Sequence, residues 1–199
     1  LKTQTQSALR FVLSNEQAMN EIYTTVDRAI ALANQMLSLA KVEQLRQQAD
    51  APVTDWSAVL RELALEMAPL MADKDIDFGI DTQAANVRAH DWMLRELTRN
   101  LLHNAIKHTP EGGVLSVRVV VDSTTAELVV ADHGAGIDAE LQARLFQPFS
   151  AGRVQAGSGL GLAICAEIVS ALHGVISLDN RVVRGQVEGL DARVRLPVV

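Results

Sequence analysis

The apolar positions near the start of the chain follow a helical beat. Met19, Ile22, Val26, Ala29, Ala33, Met36 and Ala40 are spaced 3, 4, 3, 4, 3 and 4. Alternating steps of three and four place them on one a/d seam, sustained for about three heptads. Leu1, Thr5, Ala8 and Val12 carry a weaker version of the pattern. Between the two lies Ser14-Asn15-Glu16-Gln17, where Ser14 and Gln17 match a capping box. The pattern predicts an antiparallel helical hairpin. A hairpin with a single apolar seam cannot bury that seam by itself. A four-helix dimer is therefore predicted, in preference to a monomeric hairpin folded onto the rest of the chain.

The heptads stop near Glu43, and residues 44–52 are polar and end in Pro52. The boundary between a first domain, 1–49, and a second, 50–199, is placed there. Trp56, Val59, Leu60, Leu63, Met67 and Leu70 then predict an amphipathic helix behind a Thr54/Asp55 cap. Residues 75–80 and 86–89 are short strand candidates. Asp91 is the expected cap of a second helix running to about Thr109. Leu115, Val117, Val119 and Val121 alternate with Ser116, Arg118 and Val120, the period of a half-buried strand. Asp122-Ser123-Thr124 turns the chain into another strand, 127–132. A helix is expected over 158–173, stopped by Gly174. Residues 175–178 and 192–196 close the chain as strands. Helices grouped with a mainly antiparallel sheet predict an α+β fold, a two-layer α/β sandwich preceded by the helical hairpin.

Composition narrows the partners. The chain has 199 residues, 48% of them hydrophobic, enough for one well-packed domain and a smaller element. Its net charge of -6 argues against nucleic acid or an anionic membrane surface as a partner. The single cysteine, Cys165, falls in an apolar helical stretch and reads as core packing in a reducing, cytoplasmic setting. No 18-residue apolar run and no signal-type start occurs. Leu1 falls inside a helical pattern, so the chain is expected to be part of something longer.

Three segments carry candidate chemistry. On the helix after Asp91, Glu96, Asn100 and Asn104 recur every fourth residue and share a face, with Lys107 close by. Helix interiors disfavour Asn, whose amide competes for backbone bonds. The bland reading is a solvated face. The functional reading is a hard-cation site in which amide oxygens hold Mg2+ and Lys107 meets phosphate. Next, the strand ending at Asp132 runs into His133-Gly134-Ala135-Gly136-Ile137. Glycines let a backbone pass close to a flat ligand. A carboxylate at the strand end would accept a hydrogen bond from an exocyclic amine such as adenine's. Third, Gly157-Ser158-Gly159-Leu160-Gly161 opens a helix, where exposed N–H groups and the positive dipole end attract phosphate. The sequence has no Walker loop and no Rossmann fingerprint. A short polar loop, 150–156, follows Phe146-Gln147-Pro148-Phe149 and has the make-up of a lid.

Together these segments resemble bacterial sensor histidine kinases. Asn100-Leu-Leu-His-Asn104-Ala-Ile-Lys107 resembles their N box, and Asp132-His-Gly134-Ala-Gly136 their G1 box. Phe146-Gln-Pro-Phe149 is similar to the F box, and Gly157-Ser-Gly159-Leu-Gly161 to the G2 box. The match covers about residues 50–199, in order. The preceding hairpin resembles the dimerisation and histidine phosphotransfer domain. The resemblance implies the two-layer GHKL, or Bergerat, ATPase sandwich. It implies that Asn100 and Asn104 hold Mg2+, that Lys107 contacts phosphate and that Asp132 binds the adenine amine. Gly134, Gly136 and Ile137 would shape the pocket, with His108 beside it. Gly157, Ser158, Gly159, Leu160 and Gly161 would hinge the lid and meet the phosphates. Phe146 and Phe149 would anchor the lid, and Arg153 is a candidate lid cation.

The chain departs from the family pattern in three minor ways. His133 stands where Asn usually follows the G1 aspartate, His108 stands where Tyr or His is common, and the lid is short. A larger departure is that His90, His103, His108, His133 and His173 all lack the His-acid-x-x-x-Pro context of the family's phosphoacceptor. The acceptor is therefore expected upstream of Leu1. The implied chemistry is transfer of the ATP γ-phosphoryl to a hairpin histidine, then to a response regulator receiver domain. A homodimer through the hairpin and a membrane-anchored parent protein are also implied. The related gyrase, heat-shock and mismatch-repair ATPases place Glu where this chain has Asn100, and an amide cannot act as a base toward water. The rivals to a kinase are thus a hydrolytic ATPase of that kind, an anti-sigma serine kinase and a degenerate nucleotide-binding scaffold.

Overall fold

The computed structural model describes residues 51–142, 144–147 and 160–199, with residues 19, 22, 25, 26, 29, 33, 36, 37 and 40–42 nearer the N-terminus. The elements are β1 (Val53–Asp55), α1 (Trp56–Ala72), β2 (Asp77–Thr82), β3 (Asn86–Arg88), α2 (Asp91–His108), β4 (Val114–Val121), β5 (Thr125–Asp132), α3 (Ala139–Gln142), α4 (Gly161–Ala171), β6 (Val175–Val183) and β7 (Gln186–Pro197). Five strands form one sheet in the order β2-β4-β5-β7-β6, and β1 pairs with β3 in a small antiparallel ribbon. Within the large sheet only β2–β4 is parallel. The helices α1, α2 and α4 cover one face, with α2 between the other two. This is the two-layer sandwich that the sequence predicts.

Burial explains why the segment carrying two asparagines is a helix. Its asparagines each cost about 0.5–0.7 kcal/mol of helix propensity relative to Ala. Against this, Leu94, Leu97, Leu101 and Leu102 are fully buried, and each buried leucine is worth about 1.5–3 kcal/mol. Packing wins, and the polar residues occupy the remaining face. Strand β4 follows the same logic with period two. Leu115, Val117 and Val119 face the helices, while Ser116, Arg118 and Val120 stay exposed. The Trp56 indole N–H donates to Thr98 Oγ1 at 2.9 Å, satisfying its polar edge inside the core. Cys165 is fully buried with its Sγ 3.8 Å from Leu97 O, and burial pushes its thiol pKa up.

The caps differ in part from expectation. Asp55 does cap α1, accepting from Ser57 N–H at 3.0 Å. At α2 the cap position is His90, which makes no side-chain cap bond. Asp91 instead stands in the first turn and pairs with Arg95 at 3.1 Å. Leu172 caps the C-terminus of α4, and the left-handed residue after it is His173, φ 56°, rather than Gly174. Gly174 serves a different need. A Cβ there would overlap the Arg195 carbonyl oxygen, so glycine lets β7 pass. Asp122 closes the β4–β5 turn by accepting from Thr124 N–H and Thr125 N–H, both at 2.8 Å. Those bonds hold its pKa down to about 2.

The last two strands are much longer than the short runs predicted. They form one hairpin whose turn uses Arg184 and Gly185 at φ 51° and 81°. Two consecutive left-handed residues match a type I′ turn. Arg-Gly is a weak written signal for it, and residues 179–191 mix charge with apolar positions.

The described seam residues Met19, Ile22, Val26, Ala29, Ala33, Met36 and Ala40 are helical. Met19, Ile22, Val26 and Met36 are 48–59% exposed. At the end of this stretch Val42 is buried in the main core, and Lys41 Nζ stands 4.2 Å from the Trp92 ring centroid. The capping box at Ser14–Gln17, the segment 1–12 and the boundary at residues 43–50 lie outside the described residues. Among the described residues no helix is long and apolar enough to cross a membrane.

Candidate functional site

The face of α2 bearing Glu96, Asn100 and Asn104 is half-buried, while Lys107 and His108 at its end are exposed. Asn100 Nδ2 donates to Glu96 O at 2.9 Å and to Glu96 Oε1 at 3.2 Å. Those bonds orient the amide, so its oxygen is turned away from Glu96 toward the start of α4. A Cβ on Gly161 would stand 2.8 Å from Asn100 Oδ1. The glycine at the first position of α4 therefore brings that helix's N-terminus against the Asn face.

The C-terminal end of α2 is held by a lysine from beyond α1. Lys74 Nζ donates to Ile106 O at 2.7 Å, to Lys107 O at 3.1 Å and to Thr109 O. A cation on the last carbonyls suits the negative end of the helix dipole. This fixes the backbone that carries Lys107 and His108. The His108 imidazole is held below its ordinary pKa chiefly by desolvation, with the Lys107 charge adding to it and Asp132 opposing.

Asp132 ends β5 and is 5% exposed. Its Oδ1 accepts two backbone N–H bonds, from Gly134 at 2.8 Å and from Leu190 at 3.2 Å. Both bonds fall on the same oxygen, and Oδ2 takes part in neither. The loop that follows is packed tightly. A Cβ on Gly134 would stand 2.7 Å from His108 O, so this glycine joins the loop to the end of α2. Gly136 takes φ 73° and lies against Asn180. Ile137 donates its N–H to Asn180 Oδ1 at 2.8 Å and accepts from Asn180 Nδ2 at 2.7 Å. His133 Nδ1 lies 2.9 Å from Val114 O, at the start of β4.

Asn100, Asn104, Lys107, His108, Asp132, Gly134, Gly136, Ile137, Leu160 and Gly161 are thus carried by α2, the β5–α3 loop and the start of α4. The loop meets α2 through Gly134, and α4 meets α2 through Gly161. Leu160 is fully buried and serves as the N-cap of α4. Phe146 is half-buried against the core. Phe149, Arg153, Gly157, Ser158 and Gly159 lie outside the described residues. With Leu160 as its N-cap, α4 starts at Gly161. Asn180, Arg181 and Leu190 are the contributors that sequence reading missed. They reach the loop from a hairpin more than 40 residues away, and only the long hairpin itself would have signalled them.

The described site thus brings together the half-buried Asn100 beside the start of α4, Lys107 at the end of α2, and the buried Asp132 in the loop joined to that end. The family model for the histidine kinase-, DNA gyrase B-, and HSP90-like ATPases matches residues 91–199. The sensor protein kinase PmrB of Pseudomonas aeruginosa is 30% identical over 99% of this chain and 42% of its own length. The solved structure of the mycobacterial sensor histidine kinase MprB is 30% identical with a TM-score of 0.67, covering 74% of this chain and 97% of that one. The full-length structure of ShkA, in complex with AMPPNP, is 25% identical with a TM-score of 0.72, over 86% of this chain and 36% of that one. The chain belongs to the histidine kinase-like ATPase family, on its sensor histidine kinase branch, and its fold is the GHKL type. It spans 34–42% of the length of PmrB, CreC and QseC, three curated relatives that it matches.

Proposed function

We propose that this chain binds Mg-ATP and donates its γ-phosphoryl to a histidine on the helical hairpin, as the catalytic part of a two-component protein-histidine kinase. The observation that carries the reading is the Glu96–Asn100 pair beside Gly161. Position 100 is an amide, and Glu96, the nearest carboxylate on that face, is engaged by the Asn100 amide at 3.2 Å. The position where the hydrolytic relatives need a water-activating base is thus held by an amide, which cannot take a proton from water. That favours transfer to an incoming imidazole over hydrolysis. The imidazole nitrogen attacks the γ-phosphorus, the bridging P–O bond breaks, and ADP leaves while the imidazole sheds its proton to solvent.

The residues present fit a hard cation. Asn100 and Asn104 offer amide oxygens one turn apart on a half-buried face, the donor class that Mg2+ accepts alongside phosphate oxygens and water. Mg2+ held there would neutralise charge on the transferring phosphoryl group. The protein's own part is positional. Asp132 Oδ2 accepts from the six-amino group of adenine, Lys107 meets the phosphates, and the α4 N-terminus with Gly157, Ser158 and Gly159 supplies backbone N–H groups. Phe149 anchors the lid.

The exposed heptad seam supports a homodimer through residues 1–49, with residues 50–199 as the catalytic domain. A receiver domain is the downstream acceptor. The parent protein is a membrane-anchored sensor whose catalytic part is cytoplasmic.

The test is calorimetry of ADP and AMPPNP with Mg2+. Wild-type binding is expected with a Kd below about 1 mM, roughly -4 kcal/mol or better. Asp132→Asn keeps an oxygen for the Gly134 and Leu190 N–H groups but turns an amide N–H toward the base. Affinity for ADP is expected to fall at least about tenfold, the loss of one charged hydrogen bond. No heat at millimolar ligand, or an indifferent Asp132→Asn, overturns the reading.

A further inference from the structure

We propose that Asn180 and Arg181 on β6 are positioning residues for recognition of the nucleobase. The proposal rests on the reading of Asp132 as the adenine-binding carboxylate. Adjacent residues of a strand point to opposite faces, and here both faces are used on one loop. Asn180 clamps the backbone of Ile137 on both sides, accepting from its N–H and donating to its C=O, across 43 residues of sequence. Arg181 reaches the other end of the same loop, where its Nη2 donates to Asp132 O at 2.6 Å. Its Nη1 is held by Asp191 Oδ1 at 2.6 Å, and Asp191 Oδ2 is held in turn by Arg193 at 2.6 Å.

The opposite strand completes the grip. Leu190 N–H donates to Asp132 Oδ1. Gly189 takes φ 151°, and a Cβ there would overlap the Asp132 carbonyl oxygen, so only glycine lets β7 come this close. The β6–β7 hairpin therefore fixes the Asp132 backbone, the rotation of its carboxylate and the exit of the loop at Ile137. The grip decides where Oδ2 points. A carboxylate free to turn in a pocket would lose its preference for one edge of a base.

Neither side chain is central to the core. Arg181 is 26% exposed, and the β6–β7 pairing runs through backbone groups rather than its side chain. The pair acts on orientation, so its signature is discrimination between nucleobases. ADP and inosine diphosphate differ at C6, which bears an amine in one and a carbonyl in the other.

The experiment measures the affinity of Mg-ADP and Mg-IDP for wild type, Asn180→Ala, Arg181→Met and Arg181→Lys, with thermal melts alongside. Wild type is expected to prefer ADP by at least about tenfold, the loss of one charged hydrogen bond. In Asn180→Ala and Arg181→Met that preference is expected to shrink to about threefold or less while IDP affinity stays within about twofold, since the hydrogen bond being loosened is one that IDP never makes. Arg181→Lys keeps the charge but has fewer donors, so it is expected to fall between. An equal loss for both nucleotides, or an unchanged preference in folded variants, overturns the proposal. If Arg181→Met does not fold, Arg181→Lys with full wild-type preference overturns it. A wild type that binds neither nucleotide refutes the nucleotide reading itself, and one that binds both alike refutes the reading of Asp132 as the adenine-binding carboxylate on which this proposal rests.

Discussion

Gly161 and Asn100 are in direct contact, so a methyl group added to the glycine would stand 2.8 Å from the Asn100 amide oxygen. The atom in the way is the end of a short side chain, which can turn aside. Gly161→Ala should therefore fold, because alanine suits a helix by up to about 1 kcal/mol over glycine. It should bind Mg-nucleotide about tenfold more weakly, the effect of displacing one oxygen of a charged site. A thermal melt paired with calorimetry checks both halves. Full affinity in a folded Gly161→Ala would remove Asn100 from the site.

Lys74 ties the end of α2 through three carbonyl oxygens, Ile106, Lys107 and Thr109. Methionine at position 74 keeps the length and loses the donors. The predicted cost is about 1–2 kcal/mol, the range for charge-assisted bonds at a helix end. Urea unfolding of Lys74→Met measures it. A change under about 0.5 kcal/mol, typical of surface substitutions, would show that the carbonyls are as well served by water.

His108 has a folded pKa below its ordinary 6.5, set first by desolvation and then by Lys107. A depressed histidine pKa means that the unfolded chain binds the proton more readily. Its stabilising effect is complete above about pH 6.5 and is lost as pH falls through the unfolded value toward the folded one. Wild type should therefore lose more stability than His108→Gln between pH 7.5 and pH 5.5, read as urea midpoints. Equal losses in the two proteins would rule His108 out as the source.

Much of this site is legible in the sequence because its parts are local. Asn100, Asn104 and Lys107 share a helix face by spacing alone. Asp132 announces itself as an acid at a strand end before glycines. Asp91 reads as a cap and is not one, because Asp, a favoured cap residue, is also stabilised one position later, where it pairs with Arg95. Gly174 reads as the left-handed residue that His173 in fact provides, because two needs, helix termination and close passage of β7, fall on neighbouring positions.

By itself the sequence determined the two-layer α+β fold, the order of its longer elements, though not β1 or α3, and the residue types proposed for the site. Period and local chemistry are written along the chain, and each element reads them within a few residues. Only the tertiary structure decided how those residues are held. Asn180 with Ile137, Arg181 with Asp132, and Leu190 with Asp132 are pairs joined by sheet register between distant segments. Register depends on how β6 and β7 align against β5, and that alignment is settled by burial of the whole sheet face.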